Sequence, residues 1–438
     1  MTDTFEQARS HFVDGVQAFE AGRLADAERA FAASLALVPG RPSTLTNLGA
    51  VRLRLGRPGE ALADLDAALA VEPDNVDALA QRADALARLG RHTEALAGFE
   101  RVLALDPDHA ATALHRAATL GLLGRHAEAL AAFDRLVQQR PRDVPPWIAR
   151  GQSLHAMGRP ADAVASYDRA LALDAGAVRA WTLRGDALRD AGRPAEAAAS
   201  YEQAIAHGGE PQLHRYLLAS LDGAAGAAAA PPPRSPDAYV RLLFDGYAQD
   251  FDRHLVQVLR YEAHERVARL LTRSGRWFDA VLDLGCGTGL LGPLLKHVAG
   301  RIDGVDLSPP MLAKARTLGV YDRLDEAELV EYLQRTERRY DAVVAADVFI
   351  YVGDLEPVFA GVARVLAPGG HFTFSLERAD DAHDYVLLPS RRYAQSERWV
   401  RELAARHGLD VLAVEPGPIR DDQRHTVHGL YVDLQRRD

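Results

Sequence analysis

Cysteine is all but absent from this 438-residue chain: Cys286 stands alone, so no internal disulfide can form. Structural zinc needs several thiolate or imidazole ligands at short spacing, and the 16 histidines show no such spacing, so no metal is expected. Lysine is almost missing too, with Lys296 and Lys314 the only two. The net charge of −10 leaves no surplus of positive charge for phosphate backbones, which argues against nucleic acid as a partner. Nor does any apolar run approach the roughly 20 residues that a membrane-spanning helix needs, so no membrane contact is expected. The opening MTDTFEQARSHF carries Asp3 and Glu6 where a secretory leader would be basic and then apolar, and the expectation is a cytoplasmic chain. The length exceeds what one core ordinarily holds, so two or more domains are expected.

What the first half does have is an internal repeat. Gly22, Gly56, Gly90, Gly124, Gly158 and Gly192 are 34 residues apart, and each is followed by arginine. Five residues after each glycine stands alanine (Ala27, Ala61, Ala95, Ala129, Ala163, Ala197), and four further on a large side chain: Phe31, Leu65, Phe99, Phe133, Tyr167, Tyr201. The pattern predicts a helix pair per period, with glycine at the turn, alanine where the backbones approach and the large residue filling the gap beside it. Pro39, Pro73, Pro107 and Pro141 stop the second helix. Ala175 and Gly209 replace that proline in the last two periods.

This period resembles the tetratricopeptide repeat, as six units at about 8–41, 42–75, 76–109, 110–143, 144–177 and 178–211. A capping helix over 213–221 (LHRYLLASL) would cover the last open face and complete a solenoid of residues 1–221. The resemblance implies a concave face that holds a peptide or protein partner; the alternative is a spacer or self-association surface. Groove positions such as Ser43, Thr46, Asp77, Ala80, Asp84, Ile148, Gln152 and His155 vary, and they lack the recurring Asn, Lys and Arg of a carboxylate clamp. A second register also recurs at 34: Arg82, Arg116, Arg150 and Arg184, with Asp66, Glu100, Asp134, Asp168 and Glu202. Ion pairs between adjacent helices explain it better than an anion-binding ladder, but the sequence leaves open whether each arginine meets the acid of its own repeat or of the preceding one.

From Asp222 to Pro236 the chain reads DGAAGAAAAPPPRSP, without an apolar face and with a proline run, which marks a linker. Over 237–438 short apolar runs (VLDL, IDGVDL, YDAVVAAD, HFTFSL) alternate with helical stretches, predicting a mostly parallel sheet with helices on both faces. The strand AVLDL runs directly into Gly285-Cys286-Gly287-Thr288-Gly289, and LLGPLLKHV follows as a helix. Such a turn lets a ligand lie against bare backbone at a helix N-terminus.

Gly287 to Gly292 also satisfies GxGxxG, so a dinucleotide reading must be weighed. Asp283, just before the first glycine, suits a cationic amino-acid-bearing ligand better than a pyrophosphate. Asp306 in GVDLS, at the end of the next strand, is placed to accept ribose hydroxyls, which fits either cofactor. VLDLGCGTG, GVDLS, YDAVVAAD and RVLAPGG together resemble the class I S-adenosylmethionine-dependent methyltransferases over about 237–438. The whole chain, through YVRLLFDGYAQDFDRHL, resembles a bacterial family of methyltransferases with fused tetratricopeptide repeats.

That resemblance implies a Rossmann-like α/β domain with a seven-stranded sheet, its antiparallel final strand falling at VHGLYVDL. It also implies site roles. Gly285, Cys286, Gly287 and Gly289 would lie along the methionine portion of S-adenosylmethionine, with Asp283 near its amino group. Asp306 would hold the ribose, Leu307 would pack on adenine and Glu328 would meet the adenine amino group. Asp347 would face the methyl group and its acceptor, and Tyr247 and Phe251 would close over the cofactor. Candidate bases are Asp347, His383, Tyr393 and His425. In SRRYAQSERW, Gln395 stands where the family pattern has histidine, and Ser396 reads as a helix cap. The expected activity is in-line methyl transfer to an O or N acceptor, releasing S-adenosylhomocysteine, with the repeats capturing a peptide, protein or carrier-bound substrate. The alternatives are a small-molecule methyltransferase that uses the repeats for assembly, and a scaffold that senses the cofactor.

Overall fold

A computed structural model describes residues 2–221, 231–245, 252, 260–273, 275–422 and 425–438. The chain divides into two compact units, Met1–Ser200 and Tyr201–Asp438.

The first unit is built of antiparallel helix pairs: α1 (Thr2–Glu20) with α2 (Leu24–Leu37), α3 (Pro42–Arg54) with α4 (Pro58–Val71), and α5 (Val76–Arg88) with α6 (His92–Leu105). Then come α7 (Ala110–Leu122) with α8 (His126–Gln139), α9 (Val144–Ala156) with α10 (Pro160–Leu173), and α11 (Val178–Asp190) with α12 (Pro194–Ala206), which crosses the boundary between the units. Each repeat glycine ends the first helix of its pair with φ between +71° and +74°, a left-handed conformation that glycine adopts without a Cβ penalty. The arginine after it donates its backbone N–H back into the helix (Arg91 to Leu86 O, 2.9 Å), and its side chain pairs with the acid three residues on, as in Arg91–Glu94 at 2.7 Å. The large residue of each second helix fills the notch opened by a small residue on the first. A Cβ on Gly49 would lie 2.8 Å from Leu65, and one on Gly151 would lie 2.5 Å from Tyr167. A Gly90→Ala variant has open space for its methyl group, so its whole cost is backbone conformation. A loss of about 1–2 kcal/mol is expected in urea unfolding.

The arginine register joins consecutive repeats. Arg82 meets Asp66 at 2.5 Å, Arg116 meets Glu100 at 2.9 Å, Arg150 meets Asp134 at 2.6 Å and Arg184 meets Asp168 at 2.7 Å, always the acid of the preceding repeat. The spacing of 16 residues puts each pair on the second helix of one repeat and the first helix of the next.

The second unit begins with the end of α12 and with α13 (Pro211–Ala219) and α14 (Asp237–Asp245), followed by α15 (Ala263–Thr272). Its sheet strands are β1 (Phe278–Leu284), β2 (Ala299–Asp306), β3 (Arg323–Glu326), β4 (Tyr340–Ala345), β5 (Leu366–Arg378), β6 (Tyr385–Leu387), β7 (Tyr393–Gln395), β8 (Leu409–Asp422) and β9 (His425–Arg436). The main sheet runs β3-β2-β1-β4-β5-β9-β8. Its first five strands are parallel, and β9 is antiparallel between β5 and β8. VHGLYVDL falls within that antiparallel strand, and a short β7-β6 hairpin extends from the end of β5. Helices α16 (Gly292–Leu295), α17 (Pro309–Thr317), α18 (Leu329–Arg335), α19 (Glu356–Val365) and α20 (Glu397–Arg406) complete the unit.

Both faces of the sheet are buried, which is why its central strands read as continuous apolar runs. Leu282, Leu284, Val343 and Phe374 pack to one side with α18, α19 and α20, whereas Val281, Ile302 and Val344 pack to the other with α15 and α16. The chain leaves β1 toward β2 on one side, and β4 lies on the other. The C-terminal ends of β1 and β4 therefore part at a switch point, where an open α/β sheet places its ligand.

Candidate functional site

A cavity of about 340 Å³ lies over the ends of β1, β2 and β4 and is lined by side chains of the second unit alone. Its floor is the turn after β1, where Gly285, Gly287 and Gly289 take φ of +67°, +55° and +90°. A Cβ on Gly287 would meet nothing within 4 Å, so this residue offers bare backbone to the cavity, whereas a Cβ on Gly285 would lie 2.6 Å from Val348. Gly289 is not on the cavity wall. Together with Gly292 and Gly304 it forms a notch for the ring of Tyr321, which a Cβ at any of the three would approach to 2.8–3.0 Å. The last glycine of GxGxxG thus makes room for a tyrosine.

The Tyr321 hydroxyl donates to Asp283 at 2.7 Å. Asp283 is only 2% exposed, and burial pushes its carboxyl up to about 7; the Tyr321 hydrogen bond opposes this rise and the charge of Asp306 adds to it. Asp306, at the end of β2, accepts the backbone N–H groups of Gly287 and Ser308, each at 2.9 Å. Burial raises its pKa as well, against those bonds. Leu307 and Glu328 also line the cavity, Glu328 as the cap of α18, accepting Glu331 N–H at 2.9 Å. Cys286 lines it too, but burial raises its thiol far above the ordinary range, which leaves it without thiolate character.

Asp347, just beyond β4, has φ +58°, a left-handed conformation uncommon for a non-glycine residue, and its N–H is held by the Ser375 hydroxyl at 2.9 Å. Its carboxylate lines the cavity but is clamped by one guanidinium nitrogen of Arg420 at 2.6 and 2.7 Å, while the other bonds Glu377. Arg420 is 2% exposed. A carboxylate held in this way orients the wall.

The other proposed bases fall elsewhere. Tyr393 is fully buried and donates to the Pro232 carbonyl at 2.7 Å, off the cavity wall, because its ring is needed to pack the β7-β6 hairpin. His383 sits on the exposed loop between β5 and β6, away from the cavity. Gln395 donates to the carbonyls of Phe349 and Val352 at 2.9 and 2.7 Å, bracing the 3-10 turn Phe349–Tyr351. Ser396 caps α20, accepting Trp399 N–H at 3.2 Å. Tyr247, Phe251 and the His425 side chain lie outside the described residues.

Among the cavity residues not singled out from the sequence, Arg420 and His264 bear on the chemistry. Arg420 carries no motif. His264 does carry a signal, a polar residue in the apolar stripe of α15 with Val267, Ala268 and Leu271. Its ring stacks on Tyr261 (5.0 Å, 8°), and its Nδ1 is buried without a hydrogen-bond partner among the described residues. Burial lowers its pKa, so the imidazole is neutral at pH 7. Among the described residues no group of three or more His, Cys, Asp or Glu could hold a metal ion, and no helix is long and apolar enough to cross a membrane.

The methyltransferase-domain family matches residues 282–372, and tetratricopeptide-repeat families match 46–110, 86–149 and 148–211. The chain is 31% identical over 115 residues to the ubiquinone biosynthesis O-methyltransferase of Serratia proteamaculans, covering 25% of this chain and 48% of that protein. It is 29% identical over 174 residues to the biotin biosynthesis bifunctional protein of Bordetella avium, covering 38% and 36%. The chain therefore spans about half or less of the length of these curated relatives. Among solved structures it is similar to a tetratricopeptide repeat protein from Parabacteroides merdae, with a TM-score of 0.44, 21% identity and coverage of 57% and 92%. It is also similar to the magnesium protoporphyrin IX methyltransferase of Synechocystis, with a TM-score of 0.36, 17% identity and coverage of 46% and 99%.

Proposed function

We propose that this chain, in which tetratricopeptide repeats precede a methyltransferase domain, transfers the methyl group of S-adenosylmethionine in line to an acceptor brought to it by the repeats. One observation carries the reading: the open backbone at Gly287 lies beside two carboxylates at the ends of adjacent strands, the buried Asp283 and the half-buried Asp306. A cationic amino-acid end suits Asp283, and a ribose diol suits Asp306. A pyrophosphate would have to lie against both negative charges, which disfavours a dinucleotide.

S-adenosylmethionine, when bound, supplies a methyl group already activated by its sulfonium. The protein's part is alignment and exclusion of water. Asp283 would hold the amino group, Asp306 the ribose and Glu328 the adenine amino group, with Leu307 against the adenine ring. The Asp347–Arg420–Glu377 cluster would fix the wall beside the reacting carbon. A hydroxyl or amine acceptor must lose a proton, and neutral His264, a cavity residue whose Nδ1 has no hydrogen-bond partner among the described residues, would take it. The name of the Serratia relative favours oxygen as the accepting atom.

Isothermal calorimetry with S-adenosylhomocysteine tests the cofactor; absence of heat, together with binding of a nicotinamide dinucleotide, would overturn the reading. Radiolabelled S-adenosylmethionine with a fractionated extract tests the acceptor. Label in protein or carrier bands, lost from a variant without residues 1–193 that still binds S-adenosylhomocysteine, is the result expected of capture by the repeats. Label confined to small molecules, equal with and without those residues, would leave the repeats an assembly role.

A further inference from the structure

The segment between the repeats and α14 forms part of the cavity wall. Arg234 and Ser235 line the cavity. Arg234 forms an antiparallel bridge with Val352, Ser235 N–H donates to the Tyr351 carbonyl at 2.9 Å, and Asp354 N–H donates to the Pro233 carbonyl at 2.8 Å. Tyr351 and Val352 are wall residues themselves, as is Arg392 in the turn that joins β6 to β7. Three pieces of chain distant in sequence, 232–236, 349–354 and 391–393, thus meet around one end of the site.

One side chain ties two of them together, and it comes from the helix that precedes the linker. Tyr216, on α13, is fully buried. Its hydroxyl donates to the Arg391 carbonyl and accepts from the Ser235 hydroxyl at 3.0 Å. Its ring packs on Tyr239 at 5.0 Å and Tyr393 at 6.3 Å. Arg391 has φ +61°, a conformation disfavoured for arginine, so something must hold this turn. The Tyr216 hydroxyl holds its carbonyl, while its guanidinium reaches the Tyr201 hydroxyl at 3.0 Å.

We infer that Tyr216 is a positioning residue for the cofactor cavity, so that docking of α13 and binding of the nucleoside support each other. This rests on the methyltransferase reading for the identity of the ligand. The clamp has two ends, and each is one residue from or within the wall: Arg391 precedes Arg392, and Ser235 lines the cavity itself. Linkage is reciprocal, so if α13 shapes the wall, a ligand that fills the cavity must stabilise α13. The clamp also means that a chain cut at Asp237 loses part of its own site.

The test uses the full chain, S-adenosylhomocysteine, calorimetry and hydrogen exchange. Binding should slow amide exchange in 211–219 of the wild-type protein, although α13 itself touches no ligand. Tyr216→Phe, which keeps the ring, should weaken binding about fivefold or more and speed exchange of the Arg234 and Ser235 amides and of those in 388–393. Ser235→Ala, which removes one arm of the clamp, should do so to a smaller extent. A side chain of purely structural value would lower the melting temperature while leaving the affinity of the folded protein and the ligand-induced protection of 211–219 unmoved. Unchanged affinity in both variants, with no protection of α13, overturns the inference. A wild-type chain that binds no S-adenosylhomocysteine overturns the cofactor reading instead.

Discussion

Asp306→Ala will weaken S-adenosylhomocysteine binding by roughly 100-fold or more, and adenosine binding by a similar factor. The carboxylate is where the ribose diol would bond, and hydrogen bonds to a charged group contribute about 1.5–3 kcal/mol each, so losing two accounts for roughly that factor. A second effect adds to it. Asp306 also accepts the N–H groups of Gly287 and Ser308, and so ties the glycine turn to the start of α17. Removing it leaves both donors unmatched and frees the turn that forms the cavity floor. Asp306→Asn keeps the shape and one acceptor oxygen, and about a tenfold loss is expected. Calorimetry with adenosine and with S-adenosylhomocysteine measures both; an Asp306→Ala variant that binds adenosine as the wild type does would remove the carboxylate from the ribose.

What could be read from sequence depended on whether an interaction is local or regular. The helix pairs are legible because a single left-handed glycine and the small residue it accompanies must recur at the same offset in every unit. The partner of each ladder arginine was not, since acids 16 residues before it and 18 after it are equally spaced in a 34-residue repeat; only the packing of consecutive units chooses between them. Asp283, Asp306 and Asp347 stand at the ends of strands, and strand ends at a switch point open onto the ligand site, so their places follow from position in the fold. Arg420, Tyr321 and Tyr216 reach the site region from β8, from the loop after α17 and from α13. Nothing periodic links them to the residues they hold. Tyr393 shows the converse: a hydroxyl in a motif-like stretch is consumed by a backbone carbonyl that sequence could not bring near it.

The second large effect is a gain of stability coupled to a loss of binding. Asp283→Asn should stabilise the unliganded protein at pH 8 while weakening S-adenosylhomocysteine by at least tenfold and leaving 5′-methylthioadenosine, which lacks the amino-acid end, within about twofold. Burial holds the Asp283 carboxyl at about 7 in the folded chain against its ordinary 3.8. Well below pH 3.8 both folded and unfolded chains carry the proton, and the group costs nothing. As pH rises from 4 to 7 the unfolded chain releases its proton and the folded chain does not, so stability falls across that window and stays low above it. The gap corresponds to roughly 4 kcal/mol, an upper bound on what an uncharged amide would recover at pH 8, and little should be recovered at pH 4. Ligand binding has the opposite slope: an ammonium group favours the ionised carboxylate, so wild-type affinity should fall toward tenfold per pH unit below 7 and level off above it. Asp306 is raised by burial too and contributes its own slope, which the Asp283→Asn background isolates. Urea unfolding at pH 4 and pH 8, with calorimetry from pH 6 to 8.5, measures both trends. A variant less stable than the wild type at pH 8, or one that binds S-adenosylhomocysteine with undiminished affinity, would show that the buried carboxylate serves the fold and not the ligand.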